Sequence, residues 1–328
     1  MKKKIVSLVL ALMLCLSCVS ALAAEAWTVT CPWAPSGVAA MVNQKAASLS
    51  TTYSQDYVLV ANAEKGDTAT INSWLTKYTE ADPQMCFIGE GMFGITAILD
   101  PERMNFTYDD FEYVENLYSS IFVASARKEL GLTSIDALKA YLEEGNQIMV
   151  GTNGATGSEA FLAAALIGAM GYGDQFYLIP YESAAEAAQA VARGEVDIAV
   201  SHQSQILETW QQGGVDVFAA FDGEPIAQGP FKGVEGVGQY GYPYFRNRCF
   251  IFAKAGADEQ KIADLKALYA QILTDEEMVD WLNNTMLLEA DVMTEEEVIA
   301  HIDNVKNIVE EYYDLVAEIG RASCRERV

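Results

Sequence analysis

The chain has 328 residues, 51% of them apolar, and a formal net charge of −25. That length can bury one large core or two medium ones. A field so negative excludes nucleic acid as a partner, and the acidity itself reads as a device for solubility.

Lys2, Lys3 and Lys4 precede an uncharged apolar run from Ile5 to Leu16, and small residues follow down to Ala21-Leu22-Ala23. This is the pattern of a secretory signal peptide over residues 1–23, too short in its apolar part to span a bilayer. Cleavage there releases a soluble exported protein. Attachment through Cys18 as a lipoprotein is the alternative, behind a poor version of the required motif. At the other end, residues 319–328 read as a translated sequencing adapter, so a non-native tail is expected there. Between these ends stand Cys31, Cys86 and Cys249, an odd number without metal-ligand spacing, expected to be small core residues.

The first predicted strand is Trp27 to Cys31. The loop Pro32-Trp33-Ala34-Pro35-Ser36-Gly37 follows, then a helix from about Val38 to Leu49. A second strand, Tyr57 to Ala61, ends at Asn62 and the turn Glu64-Lys65-Gly66-Asp67-Thr68. A helix from about Ala69 leads to the short strand Met85 to Ile88, and Phe111 to Ala126 reads as extended and aromatic. Thr133 with Asp136 marks the start of a further helix ending at Gly145.

The stretch Gly151 to Phe161 carries the strongest local signal. A strand, Gln147 to Val150, feeds a loop with three glycines, and an alanine-rich helix follows. Glycines let the backbone approach a ligand, and the first helical turn offers unpaired N–H groups, so this is an anion site in outline. Thr156 and Glu159 also have the spacing of a capping box, which would consume those donors internally. The local sequence leaves both readings open.

Strand and helix patterns then alternate to Phe221, which predicts a parallel sheet with helices on both faces. A glycine- and proline-rich segment to Tyr244 is expected to join two lobes. Strand Cys249 to Ala253 follows, and Thr274 with Glu277 and Thr294 with Glu297 read as capping boxes opening two last helices that brace lobe 1. The expected α/β architecture has lobe 1 at 24–125 plus 246–318 and lobe 2 at 126–245. Two crossings between lobes leave a ligand cleft at the carboxyl ends of the strands.

Several motifs fall in one order along this frame: Pro32-Trp33, Ser36-Gly37, Asn62 with Gly66, Gly151-Thr152-Asn153-Gly154, Gly157-Ser158, Pro180-Tyr181 and Gly194-Glu195-Val196-Asp197. In this the chain resembles the solute-binding receptors of tripartite tricarboxylate transporters, the Bug family. The resemblance implies a two-lobed type II periplasmic-binding-protein fold that closes on a small organic carboxylate. It further implies delivery of that acid to the permease subunits of a membrane transporter, by a receptor expected to be monomeric. Its site would draw on Trp33, Pro35, Ser36, Gly37, Asn62, Thr152, Asn153, Gly154, Thr156, Gly157, Ser158 and Tyr181. Ala40 stands where the family usually has an aspartate, which makes an amino-acid ligand less expected here. A sensor that presents the same ligand to a membrane signalling partner is the alternative.

His202, at a predicted strand end, is expected to reach the cleft, whereas His301 lies on a charged helix and is expected to face solvent. A hydrolase would need Ser158 or Ser36 activated by His202, but no Gly-x-Ser-x-Gly elbow exists. No His-Glu-x-x-His or calcium-loop pattern occurs either. The expectation is a binding protein with neither enzyme activity, cofactor nor metal.

Overall fold

A computed structural model describes residues 24–316. The signal-peptide expectation and the tail at 319–328 lie outside the described residues. Two five-stranded sheets organise the chain. The first contains β1 (Glu25–Cys31), β2 (Tyr57–Ala63), β3 (Gln84–Gly89), β4 (Phe111–Ser120) and β10 (Asn247–Lys254), in the order β2-β1-β3-β10-β4. The second contains β5 (Phe122–Arg127), β6 (Ile148–Asn153), β7 (Phe176–Tyr181), β8 (Ile198–His202) and β9 (Val215–Ala220), in the order β7-β6-β8-β5-β9.

The two orders are the same pattern. In each sheet three parallel strands are followed by one antiparallel strand and a last strand at the edge. The antiparallel member is β10 in the first and β5 in the second, each the first strand laid down after the chain has crossed from the other lobe. Sheet 2 is therefore mixed, not the wholly parallel sheet expected from the βα alternation. The first crossing is the single residue Ile121 between β4 and β5, earlier than the expected Ala126, because β5 pairs with β8 and β9. The return runs through residues 221–246.

Central strands carry the burial that parallel packing demands. β8 is buried at all five positions, and β3 at every position after Gln84. On one face of sheet 1, α1 (Val38–Tyr53) and α7 (Glu259–Thr274) cover Val29, Phe87 and Ile251. On its other face sits an aromatic cluster around Phe252, whose ring centroid is 5.5 Å from Tyr108, 5.6 Å from Phe111 and 5.8 Å from Phe93. In lobe 2, α4 (Ser158–Ala169) has eleven of its twelve residues buried, the mark of an apolar helix sunk into a core.

The last helix, α9 (Glu295–Glu311), does more than brace lobe 1. Val298 and Ile302 join the aromatic cluster of lobe 1, while Val305 and Val309 join the core of lobe 2. Its start is the expected capping box, with Thr294 accepting from Glu297 N–H and Glu297 accepting from Thr294 N–H. Two other caps sit one residue along from expectation: Ser134 starts α3 (Ile135–Glu143), and Asp275 starts α8 (Glu276–Asp280), while the Thr274 hydroxyl bonds back to Ala270. The three cysteines are buried and unpaired, as expected.

Replacing a fully buried aromatic leaves a cavity that rigid neighbours cannot refill. Phe252→Ala is expected to lower unfolding stability by about 3–5 kcal/mol, read as a reduced urea midpoint with unchanged slope. A loss below about 1 kcal/mol would mean that the cluster is not a packed unit.

Candidate functional site

A cavity of about 440 Å³ lies between the two lobes, with walls from both sheets. Two helix starts form opposite walls. On the lobe 1 side, β1 runs into the Pro32–Gly37 loop and α1 begins with Gly37 as its N-cap. On the lobe 2 side, β6 runs into the glycine loop and α4 begins with Gly157 as its N-cap. Neither cap residue has a side chain to offer, and neither helix has a side-chain cap bond. Apart from the Glu159 N–H, which its own carboxyl accepts, the first-turn N–H groups are thus left for a guest, with the positive end of each helix dipole behind them.

This decides the ambiguity over Thr156 and Glu159. They do not form a capping box. Thr156 lies one residue outside the cap, and its hydroxyl oxygen accepts a 2.9 Å hydrogen bond from Arg103 of the opposite lobe. Glu159 lines the cavity at 6% exposure, its carboxyl folded back beside Gly157 at the start of its own helix, where it accepts from its own N–H and has no side-chain hydrogen bond to another described residue. A first-turn acid gains about 0.3–1 kcal/mol from the dipole. Taking an unpaired carboxylate out of water costs several kcal/mol, so the dipole does not account for Glu159. Burial, with Glu90 and Asp67 adding like charge, pushes its pKa up to about 8.

At the base of the cleft, Glu90 lies just beyond β3 and is fully buried. Its carboxylate accepts from Ser158 Oγ at 3.0 Å, Asn247 Nδ2 at 2.9 Å and Arg248 N–H at 2.8 Å. Burial raises its pKa and these donors pull it back. Gly91 is required here, since a Cβ would stand 2.7 Å from Ser158 Oγ. At the mouth, Lys65 pairs with Glu182 across the lobes, and Arg103 pairs with Asp67 at 3.3 Å. Asp67 holds a left-handed φ of 52°, a strained choice for a non-glycine residue beside a site.

Of the residues expected from sequence, Trp33, Gly37, Asn153, Gly154, Thr156, Gly157, Ser158, Tyr181 and His202 line this one cavity. Trp33 also packs on both cores of lobe 1 and lies over Gly89, so it is wall and filler at once. Gly154 has a φ of 70°, and its N–H donates to Tyr181, which turns the loop into the cleft. Pro35, Ser36, Asn62 and Thr152 do not line the cavity. Thr152 is fully buried and spends its hydroxyl on the Gly154 carbonyl, while Asn62 donates to Glu64 beside β2.

His202 is buried, its Nδ1 is 2.8 Å from Ser120 Oγ, and burial lowers its pKa to about 3, so the ring is neutral at ordinary pH. Ser158 is committed to Glu90 rather than to His202, and among the described residues no carboxylate hydrogen-bonds the ring. His301 is not on the solvent side as expected. It is half-buried against Phe250, with Nδ1 3.1 Å from Arg248. Sequence reasoning missed Glu90, Arg103 and Asn247. For Glu90 a signal existed, Gly89-Glu90-Gly91 directly after a short strand, which is where an open sheet places ligand contacts. Among the described residues no helix is long and apolar enough to cross a membrane, and no three His, Cys, Asp or Glu are grouped to hold a metal ion.

Compared by sequence, the chain matches no family model and no curated protein. Compared by structure, it is similar to Rpa4515 of R. palustris with adipate, at TM-score 0.76 and 15% identity over 90% of this chain and 96% of that one. It is similar to the periplasmic binding protein BugD, at TM-score 0.75 and 17% identity over 88% and 97%. MatC from Rhodopseudomonas palustris with bound malate gives TM-score 0.73 and 17% identity over 89% and 98%. The fold is that of the periplasmic binding proteins. The two lobes, two crossings and interlobe cavity of this chain fit that fold.

Glu159 gives the site a pH signature. Its folded pKa, about 8, lies above its ordinary value of 4.5, so between those values the folded state keeps a proton that the unfolded state has lost. Its contribution is therefore whole below pH 4.5 and falls as pH rises toward 8. Glu159→Gln does not titrate. It is expected to match the parent near pH 4.5 and to exceed it at pH 8 by on the order of 1–3 kcal/mol, read from urea unfolding at both pH values. Equal stability of the two proteins at pH 8 would contradict the burial of an unpaired acid.

Proposed function

We propose that this chain is an exported solute-binding receptor of the tripartite tricarboxylate transporter class. It captures a small organic carboxylate between its lobes and delivers it to membrane permease subunits. The observation that carries the reading is the pair of uncapped helix starts, α1 and α4, on opposite walls of one cavity. A carboxylate placed between them receives backbone N–H donors from both lobes at once, which couples capture to closure. Structural likeness to BugD and to proteins that hold adipate and malate supports the same class of ligand.

The surrounding chemistry favours binding and release over catalysis. The donors are backbone amides and neutral groups, whose hold on an anion is weaker than that of a fixed cation pair. His202 is a neutral hydrogen-bonding group held in place by Ser120, with no acid behind it to make it a base. The signal-peptide pattern of residues 1–23 supports the receptor role, since a protein that hands ligand to a permease must stand outside the membrane it serves.

Melting-point measurements with mono-, di- and tricarboxylates test the reading. A ligand at a hundred times its Kd is expected to stabilise the protein by about 2.7 kcal/mol and to raise Tm accordingly. Gly157→Pro, which removes one helix-start donor, is expected to weaken that response at least about fivefold in Kd. A clear shift with sugars, with none for any organic acid, would overturn the carboxylate reading.

A further inference from the structure

Two non-glycine residues among those described hold a left-handed φ, Asp67 at the cleft mouth and Leu287 at 54°. Leu287 does not line the cavity, and leucine has no side-chain oxygen to ease that conformation. It ends the helical turn Trp281–Met286, a place where glycine is the usual choice. Its neighbours explain why leucine stands there. Leu288 is buried in the core of lobe 1, whereas Leu287 packs on the lobe 2 core that holds Val123 and Ile206. The left-handed residue turns the chain sharply enough for two successive leucines to serve different lobes.

The residues that follow are tied to both crossings. Ser119, two residues before the crossing at Ile121, exchanges backbone hydrogen bonds of 2.9 and 3.1 Å with Glu289. Arg246, where the return ends, donates to the Glu289 carboxylate at 2.6 Å and to Asp222, near where the return begins, at 3.1 Å. Asp291 accepts from the Arg248 side chain at 2.6 Å through its carboxylate and from Asn116 at 2.6 Å through its carbonyl. Residues 288–291 are thus fixed to lobe 1 beside the pivot, and Leu287 is held out from them against lobe 2.

We propose that Leu287 is a positioning residue for closure, a wedge carried on the strap 287–291 that holds lobe 2 at the closed angle without touching the guest. Rotation at Ile121 must draw lobe 2 across a side chain that lobe 1 keeps in place. The apolar contact is made in the arrangement that also joins Lys65 to Glu182 and Arg103 to Thr156, and breaking it returns apolar surface to water. Strain at φ 54° persists because the chain is fixed on both sides of it. This role is independent of which guest the cavity takes, since it biases the open and closed arrangements from outside the site.

The Lys65–Glu182 pair is a built-in reporter. Carbodiimide joins an amine to a carboxyl only where the two meet, so the initial rate of that interlobe cross-link in the full chain without added ligand, read by peptide mass spectrometry, follows the closed fraction. Leu287→Gly removes the wedge and suits the left-handed φ, so the turn itself is kept. It is expected to cross-link at least about twofold more slowly than the parent and to show a larger radius of gyration in small-angle scattering. Leu287→Asn, which also accepts that φ, is expected to do the same, while Leu287→Met keeps the apolar reach and is expected to match the parent in both readouts. A folded Gly or Asn variant with parental rate and radius would make Leu287 a mere helix end and overturn the wedge, whatever its urea midpoint. Faster cross-linking would overturn the direction of the bias. Failure of both variants to fold would make Leu287 a determinant of the fold and overturn its positioning role.

Discussion

The carboxylate of Glu90 is the point at which the three parts of the chain meet. It projects just past β3 of lobe 1, takes a hydrogen bond from Ser158 at the start of the lobe 2 helix, and takes two more from Asn247 and Arg248, where the chain has just returned to lobe 1. Burying an acid is costly unless its lone pairs are filled, and here lobe 1 supplies Asn247 and Arg248 while lobe 2 supplies Ser158. The hydrogen bond from Ser158 thus ties the lobes together at the cleft base. The single-residue crossing at Ile121 and the bridging helix α9 act at the same base, so the geometry of the two helix starts is set from below.

Much of this frame was legible in the residues. Strands and helices follow their hydrophobic periods, and the segment that returns to lobe 1 is marked by its glycines and prolines. What escaped was set by residues far away in sequence. β5 lies antiparallel because it enters sheet 2 directly from the end of β4, and nothing in Phe122–Arg127 states a direction. Thr156 looks like a cap by its spacing to Glu159, but the chain gives the cap to Gly157, and Thr156 answers Arg103 from the other lobe. His301 sits among acidic neighbours and still packs inward, because Phe250 and Arg248 meet that face of α9.

The site shows the same division. Loop residues that line the cavity announced themselves through glycine and small polar side chains beside strand ends. Thr152 and Asn62 belong to the same motifs and serve the backbone that shapes the loops instead. Glu90 passed unnoticed because an isolated acid next to glycine has an ordinary solvated explanation, and Glu159 read as half of a capping box because it stands in a first turn three residues after Thr156. Only the closure of one lobe over the other makes either of them buried.

The two ends of the cleft differ in what holds them. At the mouth, Lys65–Glu182 joins two long, exposed side chains and exposed Arg103 reaches the Thr156 hydroxyl; a surface ion pair such as the first is worth about 0–1 kcal/mol and weakens in salt. At the base, buried hydrogen bonds and the apolar face of α9 hold far more firmly. Any separation of the lobes is therefore easiest at the mouth and turns about the base, where the crossings lie. A guest spanning both helix starts adds contacts only in the closed arrangement, and it can bias that equilibrium by no more than this difference. Weak contacts at the mouth leave that bias to the guest, which is what a carrier that must both seize and surrender its cargo requires.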